Sequence, residues 1–361
     1  MISKNYRRRT KNPKKMKILY AVQGTGNGHI TRAIELIPHL QKHGKVDILV
    51  SGTQADIELP FKVKYKFKGL SFVFGKQGGV DIWKTYWKMN SREFLKTIKS
   101  LDVKKYDLII SDFEPLSCWA AIKAKKTCIG LSNQTATLHP LAPVPAKSDL
   151  LGKLVLEHYA PVTFEYGFHF KSLDRNIFTP IIRTEVRNCK ITDQGHYTVY
   201  LPSYDDERII KNLKKIDHIQ WEVFSKHSSK SYKHHNISVN PIDKDAFLKS
   251  MCSATGILTN AGFGTTSEAL FLNKKLLVIP MKKQYEQHCN AAMLHSMGVP
   301  VVKKLSKKHL AKIHEWTLSQ SVTTVNYPDN AEEIVDLIVN NHTGKTTSDD
   351  DLESANHTMF Q

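Results

Sequence analysis

Between Ile257 and Gly298 the chain gathers residue types suited to holding an anion and a polyol. Asn260-Ala261-Gly262-Phe263-Gly264 follows the short apolar run Ile257-Leu258-Thr259, and two glycines one residue apart let a backbone turn sharply and approach a ligand closely. Thr265, Thr266 and Ser267 then supply hydroxyls where the first turn of an apolar helix is expected. Such a helix start carries free N–H groups and roughly half a positive charge, so phosphate is a natural guest. Glu268 has the wrong sign for phosphate and the right acceptors for sugar hydroxyls such as a ribose diol. Past a buried-type strand, Leu276 to Ile279, the run Glu286-Gln287-His288-Cys289-Asn290 offers donors and acceptors at the head of another helix. Strand, glycine turn and helix also recur in α/β folds without any ligand, so both readings stay open on these residues alone.

A second constellation lies near the start. Lys17 to Val22 reads as a strand, Gln23 to Gly28 (QGTGNG) as a loop, and Ile30 to Lys42 as a helix with His29 at its head. A phosphate-binding P-loop would end in Gly-Lys-Ser/Thr, and this loop ends in Gly-His-Ile. A dinucleotide fingerprint needs G-x-G-x-x-G with an acid after the second strand; Gly24, Gly26 and Gly28 give another spacing, and Ser51-Gly52 stands at the acid's place. Both readings are disfavoured. Histidine at such a point has the chemistry of a general base, because its ordinary pKa lies nearest to working pH; the bland alternative is a capped turn. Asp107 to Pro115 is a strand ending in carboxylates, where Asp112 could orient the imidazole, contact a substrate, or cap the helix Leu116 to Ala124. Ser132-Asn133-Gln134 is a similar strand-end cluster with the same alternatives.

The pattern small residue-Gly-x-x-Thr-x-x-Glu, then Pro, then Glu286-Gln287-x-x-Asn290-Ala291 resembles the C-terminal domain of the inverting GT-B glycosyltransferases over about forty residues in order. The nearest branch is the one containing the lipid II-forming N-acetylglucosaminyltransferase and the glycolipid synthases (family 28-like), with UDP-glycosyltransferases further off. GTGNGH is similar to the acceptor-side loop of the same enzymes. The fold class this implies is α/β, GT-B, with two Rossmann-like doubly wound domains facing across a cleft. The implied reaction moves a hexosyl group from a nucleotide sugar, UDP-linked by expectation, to an acceptor hydroxyl with inversion. Carried over residue by residue, Gly26 and Gly28 leave room for the donor and His29 faces the cleft; Asp112 as its catalytic partner stays a reading of the residues alone. Gly262, Gly264 and Thr265 contact the diphosphate, Glu268 the ribose, and Glu286 with Gln287 the transferred sugar. Asn290 supports that loop, and Ile242 holds the base through its backbone. Pro202-Ser203-Tyr204-Asp205 departs from the glycine-rich loop usual after the first strand of this half, which leaves a phosphate contact there in doubt. Retaining relatives carry a Glu pair around Gly-Phe-Gly; Ala261 and Ala269 stand at those places, which favours inversion. A non-hydrolysing UDP-sugar 2-epimerase and a non-catalytic nucleotide-sugar binder are the alternatives. No cofactor beyond the donor substrate and no metal site is expected: Asp205-Asp206-Glu207 reads as an acidic helix start, Asp349-Asp350-Asp351 as tail, and His234-His235 as exposed loop.

At 361 residues two domains are the default, and 41% hydrophobic content suffices for two cores. The expected order is a basic tail over 1–15, an acceptor-side domain over 16–178, a donor-side domain over 190–320, a helix over 328–342 returning to the first domain, and a polar tail over 343–361. Fifty-two basic against 34 acidic residues give +18, which favours anionic partners. No nucleic-acid module accompanies that charge, so nucleic acid is not expected. From Phe61 to Tyr106 lysines alternate with apolar residues, and Phe72, Phe74, Trp83, Tyr86, Trp87 and Phe94 recur. This composition suits an anionic membrane surface and a lipid-linked acceptor, or equally a lysine-rich solvated face. Cys118, Cys128, Cys189, Cys252 and Cys289 lie far apart without CxxC and read as reduced thiols. The expected location is cytoplasmic, with a peripheral position on the inner membrane face as its extension.

Overall fold

A computed structural model describes residues 15–52, 57–68, 91–145 and 149–344. Phe72, Phe74, Trp83, Tyr86 and Trp87, most of both tails, and Asp349-Asp350-Asp351 lie outside the described residues. Seven parallel strands form the first sheet: β1 (Met16–Gln23), β2 (Gly44–Ser51), β3 (Val63–Phe67), β4 (Leu108–Asp112), β5 (Ile129–Ser132), β6 (Phe164–Phe168) and β7 (Ile177–Phe178). Their order, β3-β2-β1-β4-β5-β6-β7, turns outward on both sides of β1. The second sheet contains β8 (His196–Tyr200), β9 (Gln220–Ser225), β10 (Tyr232–His234), β11 (Ile237–Pro241), β12 (Gly256–Thr259) and β13 (Lys275–Val278). Its order is β10-β11-β9-β8-β12-β13, parallel apart from the antiparallel edge strand β10. Each sheet is therefore doubly wound, with a reversal of strand order where such folds bind ligands.

The helices of the first half are α1 (Asn27–His43), α2 (Ser91–Ser100), α3 (Pro115–Lys123), α4 (Asn133–Thr137) and α5 (Leu150–Tyr159). A short α6 (Thr184–Arg187) lies between the sheets. The second half carries α7 (Asp206–Leu213), α8 (Lys244–Ser253), α9 (Phe263–Phe271), α10 (Tyr285–Ser296) and α11 (Leu310–Leu318), and the chain returns in α12 (Ala331–Thr343). Helices cover both faces of each parallel sheet, which is why the strands are continuous apolar runs without alternation. Ile18 to Val22 of β1 are fully buried, and Ile257 to Thr259 of β12 nearly so. On α1 the apolar positions Ile30, Ala33, Leu36, Ile37 and Leu40 face the sheet at helical spacing. Each isoleucine and leucine among them contributes about 1.5–3 kcal/mol of transfer free energy.

The halves also join through side chains. Phe170 packs against Phe263 with ring centroids 5.0 Å apart and planes tilted by 45°, and the Tyr327 hydroxyl donates to the Phe170 carbonyl at 3.0 Å. Helix α12 lies along α1, where His43 Nε2 meets Asp336 Oδ1 at 2.6 Å. The cysteine reading needs correction. Cys189 and Cys252 form a disulfide, their Cα atoms 6.5 Å apart across 63 residues of sequence. After α6 the chain runs along the end of α8, Thr192 N–H donating to the Cys252 carbonyl at 3.0 Å, so wide spacing in sequence said nothing about distance in space. Cys118, Cys128 and Cys289 are free and buried. His234 is likewise strand, not loop, on β10.

Candidate active site

Both sheets present their carboxyl ends to one cleft, which encloses about 1340 Å³ including its open mouth. At the end of β1 the backbone bends through Gly24, whose N–H donates to the Ser51 carbonyl at 2.6 Å. A Cβ on Gly24 would stand 2.8 Å from the Gly52 carbonyl oxygen, and Gly52 itself has φ +110. Only glycine fits this crossing. Beyond it α1 begins at Asn27, so Gly28 and His29 lie inside the first helical turn. A Cβ placed on Gly26, Gly28 or Gly264 would meet nothing within 4 Å, so these glycines border open cleft.

His29 and Asp112 come together. His29 Nδ1 lies 2.8 Å from Asp112 Oδ1, and the carboxylate is fully buried. Asp112 does not cap the following helix. That task falls to Glu114, whose side chain accepts from the N–H groups of Leu116 and Ser117 at 2.8 and 2.7 Å. Phe113 between them takes a left-handed φ of 55, the backbone cost of aiming two consecutive carboxylates to different partners. Arg32, three residues beyond His29 on α1, is buried against the same Asp112 carboxylate. Its Nε and Nη2 donate to Oδ2 and Oδ1 at 2.9 and 2.5 Å, and its Nη1 to Asn133 Oδ1 at 3.3 Å. Burial alone would raise the Asp112 carboxyl; the Arg32 guanidinium and His29 outweigh it and hold the group below the ordinary carboxylate range.

A neighbouring amide and the Arg32 guanidinium both approach the imidazole. Gln134 Nε2 donates to Glu286 Oε2 at 3.0 Å, which orients the amide because a carboxylate only accepts. The same nitrogen lies 3.4 Å from His29 Nε2. Arg32 Nη2 lies 3.2 Å from Nδ1, so each ring nitrogen has a donor beside it, and the Asp112 carboxylate is the acceptor that favours a proton on Nδ1.

The second half supplies α9, whose N-cap Gly262 has no side-chain cap bond. Gly264 and Thr265 border the arm of the cleft that also holds Ile242, Tyr200 and Lys244, with Glu268 between the arms. Ile242 N–H donates to the Ser225 carbonyl at 3.1 Å, leaving the side chain 40% exposed. Glu268 is not free: Arg183 Nε and Nη2 donate to its two oxygens at 2.6 and 2.8 Å. Glu286 reaches across the cleft, accepting from Asn133 Nδ2 at 2.8 Å as well as from Gln134. Of the expected sugar-contacting pair only Glu286 lines the cleft. Gln287 is buried with its Oε1 accepting from Met281 N–H at 2.9 Å. Asn290 supports a different loop from the one expected, donating to the Ala261 carbonyl at 3.0 Å. Pro202 to Asp205 lie outside both arms, and Asp205 caps α7 by accepting from Arg208 N–H at 2.7 Å.

Sequence reading missed Arg32 and Arg183. Arg32 stands at the edge of the apolar face of α1, where periodicity sends a charge to solvent; Arg183 follows Thr179-Pro180-Ile181-Ile182 with nothing local to mark it.

A family model described as Glycosyl transferase family 1 matches residues 16–318. No curated protein matches the chain in sequence. Among solved structures, Arabidopsis thaliana UGT89C1 complexed with UDP-L-rhamnose superposes with TM-score 0.61 at 13% identity, covering 91% of this chain and 100% of that one. Phytolacca americana UGT2 complexed with UDP-2fluoro-glucose and pterostilbene gives 0.54 at 14%, with 93% and 92% covered. A UDP-N-acetylglucosamine 2-epimerase gives 0.53 at 14%, with 93% and 98% covered. At such identities the likeness is one of fold. The family match over most of the chain, on two doubly wound sheets facing across a cleft, makes this protein a member of glycosyl transferase family 1 with the GT-B fold.

Proposed function

We propose that the protein transfers a hexosyl group from a UDP-sugar to an acceptor hydroxyl with inversion, in the manner of the lipid-glycosylating branch. The observation that carries this reading is the His29–Asp112 pair on the wall of the cleft, with Nε2 beside Gln134 and the uncapped start of α9 bordering the same cleft. In the proposed step Nε2 takes the acceptor's proton as the hydroxyl oxygen bonds to the anomeric carbon. The carbon–oxygen bond to UDP breaks on the opposite face, and UDP leaves with the electron pair. Asp112 stabilises the imidazolium that forms, and a positioned base contributes about 10²- to 10⁴-fold. The free N–H groups of α9 receive the diphosphate, Ile242 borders the base, and Glu286, held by Asn133 and Gln134, accepts from sugar hydroxyls.

The acceptor side is apolar. Val155 and Leu156 of α5 line the cleft with Phe113, and Leu150 and Leu154 stand exposed on the same helix. This supports an acceptor with an apolar portion, and with it a peripheral membrane position. Among the described residues no helix is long and apolar enough to cross a membrane. The test supplies UDP-hexoses with hydroxyl acceptors, soluble or in anionic vesicles, and follows UDP release and the anomeric proton by NMR. Product of inverted anomeric configuration is expected, with faster turnover on vesicles; a retained configuration contradicts the mechanism, and equal rates without vesicles contradict the lipid acceptor. The 2-epimerase of the same fold motivates one alternative, which conversion of UDP-sugar without any acceptor would favour.

A further inference from the structure

His29 and Arg32 stand three positions apart on α1, so both side chains lie on one face and meet the end of β4 together. Asp112 Oδ1 faces His29 Nδ1 at 2.8 Å, and the Arg32 fork takes both carboxylate oxygens, Nε donating to Oδ2 at 2.9 Å and Nη2 to Oδ1 at 2.5 Å. Two further groups hold the guanidinium. Its Cζ lies 5.3 Å from the centroid of the buried Phe168 ring of β6, and Nη1 donates to Asn133 Oδ1 at 3.3 Å. Asn133 Nδ2 in turn donates to Glu286 of α10 at 2.8 Å, so the brace reaches the second half of the molecule. The side chains of Arg32 and Asp112 are 6% and 0% exposed, and a carboxylate so buried needs a counter-charge. A lysine would supply that charge. The fork supplies orientation as well, because the last torsion of an aspartate is soft and a single point contact leaves the carboxylate free to swing about it.

We infer that Arg32 is a positioning residue for the proton transfer, fixing the plane of the Asp112 carboxylate so that Oδ1 holds the His29 ring with Nε2 toward the acceptor. The inference rests on the reading of His29 as the base. Imidazole and carboxylate each turn about a soft torsion, so the hydrogen bond between them leaves a family of ring orientations. Two parallel bonds from a guanidinium, itself clamped by Phe168 and Asn133, reduce that family to one. Misplacing a reacting group by about 1 Å costs on the order of 100-fold in rate. The effect falls on turnover and leaves UDP affinity alone, since the proposed UDP site lies on the second half.

A double-mutant cycle on the full chain tests this, with the wild type, Arg32→Lys, His29→Ala and the variant carrying both. UDP release from the UDP-hexose and hydroxyl acceptor that the wild type turns over fastest gives kcat, and calorimetry gives the UDP affinity. Arg32→Lys, which keeps the charge and loses the fork, is expected to lower kcat about 10- to 100-fold with UDP affinity unchanged, and to cost nothing further in the His29→Ala background. An equal loss in that background overturns the proposal, because Arg32 would then act independently of His29. An unchanged kcat in Arg32→Lys overturns it too, leaving Arg32 a counter-charge only, as does a UDP affinity that falls with kcat, the mark of a donor contact or a prop of the fold. Wild-type turnover in His29→Ala is a separate failure, which removes the base reading itself. Should Arg32→Lys fail to fold by circular dichroism, Phe168→Leu, which takes the ring from beside the guanidinium and keeps every polar partner, is expected to lower kcat severalfold with UDP affinity kept; an unchanged kcat overturns the proposal.

Discussion

Asp112 is the residue on which the first half of the cleft turns, because two side chains of α1, His29 and Arg32, converge on one buried carboxylate at the end of β4. Arg32 makes the burial tolerable. Removing one partner of such a pair leaves an uncompensated charge, so Arg32→Met is expected to destabilise the fold by about 3–5 kcal/mol in urea titration. A loss under 1 kcal/mol would show that Asp112 is neutral in the native state. The pH sign follows from the direction of its shift. A carboxyl held below its ordinary range contributes stability that is complete above that range and is lost as pH falls through the folded value. Glu114 works the other way, since burial raises it and its ionisation opposes folding as pH rises. His29 and Asp112 were legible in sequence because each ends a strand or opens a helix beside glycine or proline. Arg32 was not, because helical periodicity assigns a charged side chain to solvent unless a buried acid from a strand eighty residues away is already known.

Elements differ in how openly they declare themselves. Strands β1, β4, β12 and β13 are unbroken apolar runs bounded by turn residues, and their number and type follow from sequence alone. Strand β7 has two residues and β10 three, too short for any period, and only neighbours in the sheet define them. The lysine-alternating strand β3 places Lys64 and Lys66 outward, as period two requires. The loop after β6 carries a less visible feature, His169, whose ring nitrogens have no hydrogen-bond partner among the described residues. Burial, with His139 nearby adding to the effect, pushes its pKa down to about 4. A histidine depressed below its unfolded value of about 6.5 gives stability that is complete above that value and is lost as pH falls toward the folded one. His169→Phe is expected to flatten that decline, which amounts to about 3 kcal/mol between the two values, in thermal unfolding followed from pH 7 to 4. An unchanged slope would place the acid sensitivity elsewhere.

At the scale of the whole molecule, two doubly wound halves and a return helix could be read from the order of strands and helices. The way the halves touch could not. Glu286 meets Asn133 and Gln134 across the cleft, Arg183 meets Glu268, and Cys189 meets Cys252, each pair far apart in sequence and joined only by the fold. Such contacts make the cleft a composite, with the proposed base on one half and the proposed anion-binding helix on the other, so binding and chemistry should separate by mutation. His29→Ala measures that separation most directly, through UDP release from a UDP-hexose and UDP affinity by calorimetry on the same preparation. Turnover reduced by about 100-fold or more with UDP affinity unchanged is the expected result; turnover equal to wild type would contradict the assignment of His29 as the base.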